Sequence, residues 1–478
     1  MDEILENPAR NGELLTAEEK KNFKRYLRKV DLMIMPLYCV LYWLAVMDRN
    51  NLGNANIEGF SVALNLKSGE FNWVASVLFI TYVACEIPST LLLQKIGTRL
   101  WLPLITIFWG ASCILMGFVT NFTTAMIVRL LLGAFESGFA PGFIFYTTFW
   151  YPNAQRLKRI SIFFSAGMFS GIFAGPIALG LTKIGGSLRP YQYIFVVEGA
   201  LTIFIGFISY FIVENYPETS KRILDGELSA AKKLFNEDQK EMSQKKNITV
   251  KNLSALLDAR LWVLGIIFAI GVIGGFTQAI FGPKVIKEMG YTNAQAQVFA
   301  SIPSACGFLG QLLPAIIPNY AKKVRIGYIL ILHYFTTAAL YIGLVFAGAP
   351  GLKLALLALA NFALSPTMPL VSYWMTNNTY EEDKKSVGSA MTIMLGGLAS
   401  FVGSQIYRDS DAPLYKMGHG IVAGMFVVGG VMTICLYLYF YLANRRCDRL
   451  QRELPSSDKS QTATAYINKA NPGWRYTL

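Results

Sequence analysis

Charge is scarce in this chain: 15% of its 478 residues are Asp, Glu, Lys or Arg, against 53% hydrophobic residues. Ordinary globular domains are about 25% charged, so this scarcity argues against a soluble enzyme and for a chain that crosses a membrane many times. Cysteines are few and scattered (Cys39, Cys85, Cys113, Cys306, Cys435 and Cys447), mostly at apolar positions. They form neither a disulfide framework nor a zinc pattern and read as small packing residues. No GxxxxGK[ST] sequence is present, which removes the phosphate cradle that an ATP-driven pump would need in this chain. No cleavable leader is expected either. The first 32 residues are polar, with seven basic and seven acidic side chains, and place the N-terminus in the cytosol.

Long apolar runs are what the chain has instead. Measured against about 20 helical residues per crossing, twelve candidates emerge. Six lie near 33–53, 73–95, 101–120, 123–146, 160–182 and 191–213, and six more near 261–282, 297–318, 325–347, 352–374, 386–406 and 420–442. The predicted organisation is an N-terminal segment 1–32, a six-helix bundle 33–213, a polar linker 214–260, a second bundle 261–442 and a tail 443–478. An even number of spans puts both termini and the linker in the cytosol. The formal charge of +13 is concentrated between spans and at the ends, as in Arg156-Leu157-Lys158-Arg159, Lys322-Lys323-Val324-Arg325 and Arg445-Arg446. That placement suits anionic lipid headgroups, not a nucleic acid. The basic stretch Lys20 to Lys29 is expected along the membrane surface, and the tail after Leu450, rich in Ser, Lys and Thr, is expected to be mobile.

Ionisable groups inside spans are costly and need partners or a polar cavity. Asp48 and Arg49 lie in the first span, Arg129 and Glu136 in the fourth. Asp48 and Arg49 face directions about 100° apart on a helix, and a simpler reading makes them the headgroup-level end of the first span. Arg129 and Glu136 are separated by about 10 Å of rise, so each requires another partner. A guanidinium keeps its charge and can grip a carboxylate through two parallel hydrogen bonds, whereas a buried carboxylate can exchange a proton. Arg49 and Arg129 are therefore read as substrate-binding, and Asp48 and Glu136 as proton-coupling. A purely structural ion network between the two spans is the alternative.

The second half has polar and aromatic candidates: Gln278 and Phe281, Asn361, Ser365, Tyr373, Asn377 and Asn378, and Gln405 with Tyr407. Of these, Gln278, Asn361 and Tyr373 complete the expected substrate set. His333 reads as a hydrogen-bonded helix residue, having no acidic neighbour in sequence. In the fifth span Gly167, Gly171 and Gly175 recur every four residues, followed by Pro176 and Gly180. They permit close helix approach, as a packing seam or as a gating element. Prolines at 88, 141, 303, 366 and 369 can bend their helices.

Two six-helix halves joined by a hydrophilic linker resemble the major facilitator superfamily, whose halves rock about a central cavity. The sequence Leu93-Gln94-Lys95-Ile96-Gly97-Thr98-Arg99 resembles a degenerate form of that family's loop between helices two and three. More specific are Asp48-Arg49-Asn50-Asn51-Leu52-Gly53-Asn54-Ala55, Tyr82 through Pro88, Arg129 through Gly142 and Trp150-Tyr151-Pro152. Over residues 25–450 these resemble the anion:cation symporter branch, in particular the fungal allantoate permease-like group. The resemblance implies an all-α, twelve-helix transporter and no enzyme. Its cargo would be a small organic anion with a carboxylate, such as nicotinate, pantothenate or allantoate, moved with protons and without a cofactor. It further implies roles for Asp48, Arg49, Arg129 and Glu136 in binding and coupling, gating by Gly167, Gly171, Gly175 and Pro176, and a monomer in the plasma membrane. A proton-independent facilitator or exchanger, or a non-transporting nutrient receptor, is the competing expectation.

Overall fold

The computed structural model describes residues 16–67, 70–182, 184–234, 255–291, 293–316, 325–379, 382–403, 406–407, 411, 415–453 and 476–477. Among them are twelve helical segments long and apolar enough to cross a membrane. The protein is all-helical. Gly175, Phe281 and Gln405, expected at the site or its gate, lie outside the residues whose side chains are described.

The first helix, α1 (Ala17–Ile57), is 41 residues long. Thr16 and Glu19 close a capping box at its start, each side chain bonding the other's backbone N–H. The stretch Lys20 to Lys29, expected on the membrane surface, forms the first turns of this helix, continuous with the crossing. It is held by protein contacts: Lys29 lies 2.8 Å from Glu227, and the Tyr26 hydroxyl donates to the Trp150 carbonyl at 2.9 Å. At its other end α1 continues eight residues beyond Arg49, about 12 Å of rise, so Asp48 and Arg49 do not terminate it.

The remaining crossings of the first half are α2 (Leu78–Ile96), α3 (Thr98–Met116), α4 (Phe122–Glu136) continued by α5 (Phe139–Trp150), α6 (Asn153–Thr182) and α7 (Pro190–Ile212). A linker helix, α8 (Asp225–Leu234), packs on α1. The second half contains α9 (Ala259–Glu288), α10 (Asn293–Ile316), α11 (Ile326–Phe346), α12 (Pro350–Leu364) continued by α13 (Thr367–Asn377), α14 (Glu382–Gly403) and α15 (Lys416–Glu453).

The fourth crossing of each half is broken at the same point, after 15 residues. Between α4 and α5, Ser137 turns to an extended conformation and Gly138 adopts φ 75°, in the left-handed region that favours glycine. A Cβ at Gly138 would also overlap the Ser89 side chain. Pro141 sits in the first turn of α5, where a missing N–H costs no helical hydrogen bond, so the chain breaks at Ser137-Gly138 and not at the proline. In the second half Pro366 occupies the corresponding break.

In the first half α3 and α7 pack most extensively, in the second α9 and α14; α3–α7 and the second-half pair α11–α15 lie toward lipid. Their outward faces carry Phe108, Phe204, Phe207, Phe211, Leu332, Phe346, Val428 and Leu442, all exposed, as helices bathed in lipid require. The halves meet through α2 on α14, α6 on α10, α5 on α14, and α13 on α5 and α6. All twelve residues of α5 and all of α13 except Met368 are buried, so the bundle is closed at the end that carries the linker.

Basic residues at that end do not all reach toward lipid. Arg156 and Arg159 are buried, contrary to their expected place among headgroups. Arg156 donates to the Tyr151 carbonyl at 3.0 Å, and Arg159 forms a two-pronged pair with Asp31 at 2.9 and 2.7 Å. A buried guanidinium requires such partners, whereas Lys158 beside them is exposed.

Candidate functional site

The break after α4 places Glu136 as the last residue of a half-helix in the interior of the first bundle, 1% exposed. Arg49 of α1 reaches it: Nη2 lies 2.7 Å from Glu136 Oε1. The contact is a close ion pair and not a well-aligned hydrogen bond, since neither carboxylate oxygen has a donor in good geometry. The Arg49 guanidinium also stacks over the Tyr82 ring, 4.9 Å from its centroid, which fixes its plane. Its side chain keeps 28% exposure, while Asp48, Arg129 and Glu136 are at most 3% exposed. Arg49 is thus the member of the charged set within reach of a solute.

Asp48 points elsewhere. Its carboxylate accepts from Trp109 Nε1 at 2.8 Å and from Cys113 Sγ at 3.4 Å, both on α3. Glu198 of α7 lies in the same cluster and accepts from Asn51 Nδ2, and Asn54 Nδ2 in turn donates to Asn51 Oδ1 at 2.7 Å. Successive residues of α1 therefore serve opposite sides, Arg49 toward α2 and α4, Asp48 toward α3 and α7. Arg129 lies between them, within electrostatic reach of Cys113, Asp48 and Glu136, with Nε and Nη2 lacking a hydrogen-bond partner.

Two further acids belong here. Glu86 of α2 is fully buried near Gly138, and neither of its carboxylate oxygens has a well-formed hydrogen bond. Arg49 and Glu136 are its charged neighbours. Glu86 and Glu198 obey the rule that singles out Asp48 and Glu136, an acid inside an apolar span, and that rule is the signal that could have found them. Gln311 of α10, a polar residue inside an apolar span, is buried as well: its Nε2 lies 4.0 Å from Met368 Sδ and its Oε1 has no partner.

The second-half candidates are not gathered around Arg49. Asn361 donates to the Leu357 carbonyl of its own helix at 3.1 Å, and Ser365 donates to the Asn361 carbonyl at 2.7 Å. Both lie against Gly307 of α10, where Met168 of α6 also arrives. Gln278 is half-buried on α9. Tyr373 is on α13, in the closed linker end, where Asn377 and Arg156 are its polar neighbours. Tyr82 also touches the second half: a Cβ at Gly397 of α14 would lie 3.2 Å from Val83 and 3.3 Å from the Tyr82 ring, a tight fit.

The glycines of α6 serve two faces. A Cβ at Gly167 would lie 2.5 Å from Tyr42 of α1, inside the first half, while one at Gly171 would lie 3.2 Å from Ser304 Oγ of α10, across the interface. Pro176 is exposed and Gly180 meets nothing within 4 Å. Among the described residues no cluster of His, Cys, Asp and Glu suited to a metal is found.

Residues 38–404 match the Major Facilitator Superfamily. The chain belongs to that family. The family consists of transporters, not enzymes, and this chain is similar to several of them. It is 30% identical over 421 residues to a putative tartrate transporter of Agrobacterium vitis, covering 86% of this chain and 94% of the relative. It is 26% identical to the high-affinity nicotinic acid transporter of Saccharomyces cerevisiae, covering 95% and 84%, and 28% identical to an uncharacterized transporter of Schizosaccharomyces pombe, covering 98% and 93%. Among solved structures, the human organic anion transporter MFSD10 superposes with a TM-score of 0.62 at 13% identity, covering 84% of this chain and 99% of that one. At that identity the likeness establishes the fold.

Proposed function

We propose that this Major Facilitator Superfamily protein is a secondary transporter of a small organic anion bearing a carboxylate, coupled to protons and working by alternating access. The observation that carries the reading is the Arg49–Glu136 pair: a partly exposed guanidinium held by a buried carboxylate at a broken helix. An incoming carboxylate would compete with Glu136 for Arg49. A displaced Glu136 carboxylate would be buried without its cation, which is costly, and taking up a proton relieves that cost. Binding of the anion and of a proton are thereby linked through one ion pair. Nicotinic acid and tartrate, named for two relatives, both carry the carboxylate this exchange requires.

The finer placement within the anion:cation symporter branch, the allantoate permease-like group, accords with the motifs around Asp48 and Arg129. The orientation that fits is one with both termini and the linker in the cytosol, in the plasma membrane, as a monomer. The test is uptake of radiolabelled nicotinate and tartrate into proteoliposomes with and without an imposed inward proton gradient. Concentrative uptake that disappears with a proton ionophore is the expected result. Accumulation undiminished by the ionophore would leave an anion exchanger in its place, and saturable binding without any uptake would leave a receptor.

A further inference from the structure

The last described residues do not behave as the tail of this chain is expected to. Tyr476 is 5% exposed. It stacks on Phe440 of α15 at 4.6 Å between ring centroids, lies under the Arg260 guanidinium of α9 at 5.6 Å, and its hydroxyl accepts from Arg260 Nη1. Its backbone is read at both polar groups. Asn444 Nδ2 donates to the Tyr476 carbonyl at 2.8 Å, and the Tyr476 N–H donates to Asn444 Oδ1 at 2.9 Å. The next residue repeats the arrangement with a different asparagine: the Thr477 N–H donates to Asn378 Oδ1 at 2.7 Å, Asn378 Nδ2 donates to the Thr477 carbonyl at 3.1 Å, and Trp374 Nε1 donates to the same carbonyl at 2.7 Å.

Two asparagine amides, each satisfying the N–H and C=O of one residue, do for a single peptide what a neighbouring strand does in a sheet. Main-chain bonds hold the segment, and a pocket for one aromatic side chain selects it. We propose that Asn378, Asn444, Trp374, Phe440 and Arg260 form a peptide-binding site on the linker face of the second half. Its ligand is an extended peptide with an aromatic residue, here the chain's own Tyr476-Thr477. The site joins α9, α13 and α15, and α13 is the half-helix that closes the bundle against α5 and α6. Seating the peptide therefore ties the closed arrangement of α13, and leaving it releases that tie. Twenty-two residues, 454–475, separate Glu453 from Tyr476, so the ligand is tethered at high effective concentration and a second peptide competes with it only in excess. The consequence for transport rests on the alternating-access reading above, whereas the binding site does not.

Hydrogen exchange on the purified protein tests this without any cargo. Removing residues 476–478 is expected to raise amide exchange at least tenfold in α13 and α5 and to leave α3 and α7 unchanged. Adding the free octapeptide Asn-Pro-Gly-Trp-Arg-Tyr-Thr-Leu, residues 471–478, restores protection saturably. Asn378→Ala combined with Asn444→Ala weakens that restoration at least tenfold, as does Tyr→Ala at the sixth position of the peptide. Unchanged exchange in α13 on truncation, or no saturable effect of the peptide, would overturn the proposal. A rise spread equally through α3 and α7 would do so as well, because the tail would then be part of the core and not a detachable ligand.

Discussion

Arg49 is held from one side by Glu136 and from another by the face of Tyr82, and its Nε remains without a partner. An arginine so placed is oriented before any solute arrives, and orientation paid in advance strengthens binding. Arg49→Lys keeps the charge but loses the planar fork, so half-saturating nicotinate should rise about 10- to 100-fold, as charge-assisted hydrogen bonds of this kind are worth about 1.5–3 kcal/mol. Equal half-saturation in initial-rate uptake by wild type and Arg49→Lys would remove Arg49 from the binding site. At Glu86 the account separates two roles. A role in proton movement for this buried acid beside Arg49 and Glu136 predicts that Glu86→Gln shifts the pH profile of uptake while leaving the thermal unfolding midpoint within a few degrees. A lowered midpoint with an unchanged profile would make it structural.

The existence of this site was legible from one rule, that ions do not enter apolar spans without a reason. Its pairings were not. Which acid meets Arg49 depends on a contact between α1 and α4 that no local pattern encodes, and adjacent residues Asp48 and Arg49 turned out to serve opposite helix neighbours. Glu86 and Glu198 are each the only acid of their helices, so no spacing to a second acid marks them in the sequence.

Among the elements, the broken fourth crossings distinguish this chain most clearly from a bundle of straight helices. The sequence marks them with Pro141 and Pro366, and only the second proline stands at its break; in the first, Gly138 makes the turn because its backbone conformation and the Ser89 side chain against it admit no Cβ. Gly138→Ala combines a left-handed alanine with overpacking and should destabilise by roughly 2–4 kcal/mol. A thermal unfolding midpoint equal to wild type in the same detergent would contradict that reading. The same half-helix, α4, ends on Glu136, so a change at Gly138 should also disturb the Arg49 pair, seen as weaker nicotinate binding in the folded fraction.

Across the whole molecule, the twelve crossings follow from hydropathy alone, because burial in lipid acts on every span independently. The way the halves meet does not, since it depends on which faces of α2, α5, α6 and α13 find α10 and α14. Gly171 and Ser304 give a handle on that interface. A Cβ at Gly171 would lie 3.5 Å from the Ser304 Cβ, within the range a disulfide spans. Gly171→Cys with Ser304→Cys, in a background lacking the native cysteines, should therefore cross-link on mild oxidation and stop uptake, with recovery on reduction. Full activity of the cross-linked protein would mean that α6 and α10 do not separate during the cycle.

The central claim is that Glu136 couples the anion at Arg49 to a proton. It is tested most directly by measuring, on one set of proteoliposomes, nicotinate uptake driven by a proton gradient and nicotinate exchange across equal pH, for wild type and Glu136→Gln. The account predicts gradient-driven accumulation lost by at least tenfold in Glu136→Gln while exchange persists within about threefold. Gradient-driven accumulation at the wild-type level in Glu136→Gln would contradict it.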